Sequence, residues 1–87
     1  MRVRIPTPLR SYTGGEASVE AAGATVGELI ADLDRRYPGL GFRVVDEQGR
    51  LRQHVVVFLG PDRCRDLDAS VTGFDEVVLM QALSGGA

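Results

Sequence analysis

Apolar and polar positions alternate over Met1–Pro8, with Val3 and Ile5 on one side and Arg2, Arg4 and Pro6 on the other. That period of two predicts a strand, closed by Pro6 and Pro8 or marked by them as an exposed edge. Thr13–Gly15 (TGG) supplies residues that accept positive φ, and Ala17–Ala21 reads as a shorter second strand, so the chain opens as a hairpin. The period then changes. Val26, Leu29, Ile30, Leu33 and Tyr37 recur at helical spacing. Thr25 stands at the cap with Glu28 three residues on, and Pro38–Gly39 ends the run. Asp32, Asp34, Arg35 and Arg36 fall on the other face and read as solvated surface.

After the helix, LGFRVVDEQGRLRQ reads as a connector with a polar turn at Asp46–Arg50. His54–Gly60 (HVVVFLG) is a short, nearly continuous apolar run, read as a central strand buried on both faces. PDRCRDL supplies a turn and a short edge strand, and Asp75–Leu83 is the last strand. The order ββαβ(β)β, with N- and C-terminal strands central, predicts an α+β fold. A mixed sheet of four to five strands is crossed by one main helix, the ubiquitin-like β-grasp arrangement. Residues 1–82 form the domain and residues 83–87 a flexible tail.

The 87 residues allow one domain, and the net charge of −2 gives no field drawing the protein to nucleic acid. No run reaches the roughly 20 apolar residues of a membrane span, and the N-terminus lacks a signal-peptide core. A cytoplasmic protein is expected. A single cysteine, Cys64, cannot form an internal disulfide. It lies between Arg63 and Arg65, which could lower a thiol pKa; a small half-buried residue beside a strand is the plainer reading. With His54 the only histidine, metal sites of the usual composition are excluded. A Cys64–His54 nucleophilic pair is formally available but has no orienting third group. Nothing else forms an active site, so the chain reads as acted upon rather than acting.

The tail carries the remaining signal. The five residues Ala82–Gly86 could extend about 17 Å from the last strand, far enough to enter another protein's channel. Gly85 and Gly86 have no Cβ, so a narrow channel could close on their backbone. A merely frayed Gly/Ser-rich end is the alternative. All ten basic residues are arginine. Base composition accounts for that simply; the functional reading is that an activated acyl end should have no amines nearby to attack it.

Taken together, VRIPTPLRSYTGG, TVGELIADLDRRYPGL, GRLRQHVVVFLG and FDEVVLMQALSGG resemble the MoaD/ThiS family of ubiquitin-like sulfur carriers. The opening IPTPLRSYTGG leans toward the branch that feeds cysteine biosynthesis. The resemblance implies a carrier with no bound cofactor. An E1-like adenylating enzyme would use ATP to join the carboxylate of Gly86 to AMP. A sulfur donor would displace AMP to leave a thiocarboxylate, and a downstream biosynthetic enzyme would accept the sulfur. Gly85 and Ser84 would thread the tail. Phe58, Met80 and Leu83 are candidates for an apolar docking surface beside it. The small subunit of a molybdopterin synthase and a ubiquitin-like modifier of lysines are the alternative readings.

Two features depart from the family pattern: the GPDRC loop, and a chain that ends Gly-Gly-Ala rather than Gly-Gly. Ala87 moves the carboxylate about 3.3–3.6 Å onward. Reacting atoms must be held within roughly 3–3.5 Å, so removal of Ala87 by a peptidase is expected before activation.

Overall fold

In the computed structural model, which describes residues 1–81, Arg2–Arg4 forms strand β1 and Ser18–Glu20 forms β2. They pair antiparallel with Val3 opposite Val19, as the opening alternation predicts. The connection differs from a plain glycine loop. Thr7–Thr13 is a 3-10 helix with Pro6 at its N-cap, so the prolines end the strand and start a helical turn. Gly14 (φ 66°) and Gly15 (φ 89°) then reverse the chain.

Helix α1 spans Val26–Arg36. Thr25 Oγ1 accepts the N–H of Glu28 at 3.2 Å, while Glu28 Oε1 accepts from Ala24 at 2.7 Å. Both bonds satisfy donors that have no partner within the helix. Val26, Leu29, Ile30 and Leu33 are buried, and Tyr37 packs half-buried against the same core. Each fully buried aliphatic chain contributes roughly 1.5–3 kcal/mol. Asp32 departs from the predicted solvated face: it is 6% exposed and holds three donors.

A second helix, α2 (Leu40–Val44), stands where the sequence reads as connector. It contains one buried i,i+4 pair, Leu40 and Val44, which is too little for periodicity to reveal. Asp34 Oδ1 anchors its start by accepting from Gly39 and Gly41 at 3.1 and 3.0 Å. The polar turn at Asp46–Arg50 forms as expected: Asp46 Oδ1 accepts from Gln48 and Arg50, and Gly49 takes φ 78°.

Strands β3 (Val55–Leu59), β4 (Asp62–Cys64) and β5 (Glu76–Gln81) complete a five-stranded sheet in the order β2-β1-β5-β3-β4. The β3–β4 turn is Gly60–Pro61, and Gly60 (φ 59°) provides the positive first angle that a tight hairpin needs. β1 runs parallel to the central β5, and the other neighbours are antiparallel. This is the β-grasp arrangement, with α1 against one face and β4 at the edge. β3 corrects one expectation. Val55, Val57 and Leu59 are buried, but Val56 and Phe58 are only half-buried, so the strand is covered on one face. Its unbroken apolar composition conceals an alternation in burial.

Candidate functional site

The uncovered face of the sheet follows from strand parity. Val3, Val57, Val77 and Leu79 point into the core. Their neighbours Arg4, Phe58, Val78 and Met80 therefore lie on the opposite face. Register aligns Val78 with Arg4 on β1 and with Phe58 on β3, and Phe58 with Arg63 on β4. One row across four strands thus reads Arg4–Val78–Phe58–Arg63. In the next apolar pair Val56 faces Met80. Met80 is 48% exposed, large for a methionine in a central strand.

Phe58 and Met80, two residues singled out from the sequence, therefore share this face. Val56 and Val78 complete the apolar patch, and Arg4 and Arg63 bracket it. The run of valines in β3 hid Val56, whereas the Arg2-Val3-Arg4 alternation already put Arg4 outside. Leu83, Ser84, Gly85, Gly86 and Ala87, and with them the proposed boundary after residue 82, lie outside the described residues.

β5 delivers the chain toward that tail at Gln81, which pairs with Val55. A groove lies on each side of this strand end. One is lined by Arg4, Pro6, Arg10 and Met80 along with Gln81; the other by Pro8, Phe42, Arg43, Arg52 and His54 along with Gln81. The charged side chains lining both are basic.

Cys64 and His54 are not brought together. Cys64 pairs with Val57, three residues on from His54, which immediately precedes β3, a separation of roughly 10 Å at strand rise. Cys64 packs half-buried against the core, with its thiol directed to the carbonyl of Asp66 at 3.5 Å. Arg63 stands on the other face, and Arg65 is committed to the carbonyls of Val55 and Leu51. The plain reading of Cys64 matches this geometry. Among the described residues, no group of three or more His, Cys, Asp or Glu could hold a metal ion, and no helix is long and apolar enough to cross a membrane.

Known proteins share this architecture and much of the sequence. The ThiS family profile matches residues 3–86. Sulfur carrier protein CysO of Mycobacterium tuberculosis is 36% identical over 89 residues, covering 97% of this chain and 96% of its own. A chain in the crystal structure of the Amycolatopsis orientalis BexX/CysO complex superposes with a TM-score of 0.87 at 41% identity, covering 98% of both chains. SAMP1 from Haloferax volcanii superposes with a TM-score of 0.76 at 28% identity, covering 99% of this chain and 98% of its own. A match over all but three residues, together with a relative of equal extent, establishes that this chain belongs to the ThiS family.

Proposed function

We propose that this chain is a sulfur carrier, a protein co-substrate charged and discharged at its C-terminus by other enzymes. The observation that carries the reading is where the family match stops: at Gly86, the second glycine of the pair, one residue before Ala87. The relatives of equal length that bear the name sulfur carrier protein support the same role.

On this reading Gly86 is the reactive end. An E1-like enzyme directs its carboxylate oxygen at the α-phosphorus of ATP, and pyrophosphate leaves. A sulfur donor then attacks the acyl carbon, the C–O bond to phosphate breaks, and AMP departs with the electron pair. The resulting thiocarboxylate passes its sulfur to an acceptor in the biosynthesis of cysteine or another sulfur-containing metabolite. Ser84 and Gly85 thread the tail, while Phe58, Met80 and Leu83 dock the body beside the channel mouth. Ala87 is removed first by a peptidase, because it displaces the carboxylate by about 3.3–3.6 Å.

The test compares the full chain with one ending at Gly86, each incubated with an adenylating enzyme, ATP and a sulfide source and followed by intact mass. Oxygen-for-sulfur exchange at the terminus, faster for the shortened chain, is the expected result. Equal rates would remove the processing step, and no exchange in either would remove the carrier reading. The likeness to a small archaeal modifier protein favours one second reading, transfer of the tail to lysines of other proteins. Conjugates of higher mass in the same reaction would mark it.

A further inference from the structure

Three arginines at the end of the molecule where β5 terminates are held in one manner. Arg10 donates through Nε to the carbonyl of Ile5 at 3.0 Å. Arg43 donates through Nε to the hydroxyl of Tyr12 at 2.9 Å, and Arg52 through Nε to the carbonyl of Phe42 at 2.7 Å. The guanidinium of Arg52 also lies 4.7 Å from the centre of the Phe42 ring, and that of Arg43 lies 6.0 Å from the Tyr12 ring. In each case the bond to Nε fixes the fork, and no hydrogen bond within the described residues uses its terminal nitrogens.

The other arginines with mapped bonds have their charge or their donors taken up. Arg35 and Arg36, the latter also through Nε, are ion-paired with Asp32, and Arg65 spends both terminal nitrogens on backbone carbonyls. Arg10, Arg43 and Arg52 line the two grooves flanking Gln81, and no acid lines either groove. This gathering of positive charge stands out on a chain of net charge −2. A guanidinium fork pre-fixed at Nε loses little further freedom on binding and matches a carboxylate through two parallel N–H bonds.

We propose that this arginine rim around the base of the tail is a second docking surface, which takes carboxylate side chains bordering the channel of the protein that receives the tail. It rests on the carrier reading and deepens it. The apolar sheet face supplies contact area, and the rim supplies orientation and rate of encounter. Charge complementarity selects the partner chemistry: an acidic protein surface.

BexX of Amycolatopsis orientalis, found in complex with a CysO in the structure that resembles this chain, is a concrete probe. Binding of the full chain to BexX should weaken as salt rises. Arg43→Gln/Arg52→Gln and, separately, Arg10→Gln should each raise Kd by roughly tenfold, mainly through slower association. Arg2→Gln, the same charge change at the opposite end of β1, should leave Kd unchanged. Circular dichroism confirms that each variant is folded, and Arg43→Lys, which keeps the charge without the fork, should recover part of the loss.

Wild-type affinity and salt dependence in the Gln variants would overturn the proposal. So would arginine Nε resonances that respond to ATP alone, or to amidation of the terminal carboxylate without BexX. Those results would assign the rim to phosphate or to the chain's own end. Failure of the wild type to bind BexX at low salt would overturn the docking reading beneath it together with the rim. Failure of the intact-mass experiment alone would strike the thiocarboxylate chemistry and leave the rim standing.

Discussion

Asp32 Oδ2 accepts the backbone N–H of Ala22 at 2.8 Å, tying the middle of α1 to the segment that leaves β2. Arg36 Nε donates to the same oxygen at 2.7 Å, and Arg35 pairs with the other. The hydrogen bond from Ala22 is the main cause holding the Asp32 carboxyl below its ordinary value of 3.8; burial opposes it, and the two arginines assist. A folded pKa below the unfolded one gives stability that is present above 3.8 and lost as pH falls through the folded value. Asp32→Asn should therefore lower Tm at pH 7, and its deficit against wild type should shrink as pH falls below 3.8. Thermal unfolding from pH 7 to pH 2 checks this, and a deficit independent of pH would remove the role assigned to the charge.

Gly41 approaches α1 so closely that a Cβ there would lie 2.7 Å from Asp34 Cβ and 3.1 Å from Asp34 Oδ1. The same Asp34 oxygen accepts the N–H of Gly41 and of Gly39, so displacing it would also release the start of α2. Gly41→Ala should cost about 1–3 kcal/mol, the usual range for overpacking a tight contact, despite the better helix propensity of alanine. Urea unfolding with an unchanged m-value would show that the native state is what has lost stability.

These two contacts also mark where reading the sequence stops. The Thr25–Glu28 cap, the α1 stripe and the alternation around Val3 were legible, because each is a local pattern repeated on a short period. Asp32 was misread as surface because its partner Ala22 is ten residues away and meets it only after β2 and α1 have packed. The 3-10 turn from Thr7 and the helix Leu40–Val44 are too short to show a period, and Pro6 and Pro8 signal an end of strand more clearly than a start of helix. At the candidate site the family resemblance pointed to Phe58 and Met80, and the structure puts both on the uncovered face of the sheet. The row that brackets Phe58 between Val78 and Arg63 depends on register between strands, and the arginine rim gathers residues 10, 43 and 52 from three separate segments.

The cap of α1 has a measurable worth. Thr25 Oγ1 serves the N–H of Glu28 in the first turn. Thr25→Ala should destabilise the protein by about 1 kcal/mol. In a domain of this size that corresponds to a fall in Tm of roughly 4–8 °C. Thr25→Ser, which keeps the acceptor, should fall by much less; equal losses for both would assign the effect to the lost methyl group instead.

Met80 and Leu79 are neighbours in β5 but face opposite sides of the sheet, so they separate the proposed docking from stability. Leu79 is 2% exposed and Met80 is 48% exposed. Leu79→Ala should cost about 2–5 kcal/mol through the cavity it leaves. Met80→Asp, at a position outside the buried core, should cost no more than about 1 kcal/mol, the span of strand propensities. It puts a charge opposite Val56 and beside the row carrying Phe58, where an apolar partner surface would have to desolvate it. On the proposed docking, affinity for BexX should consequently fall at least tenfold, while the thermal midpoint falls far less than in Leu79→Ala. If Met80→Asp binds as wild type does, the apolar patch is only the outer skin of the sheet, and docking must be sought on the arginine rim alone.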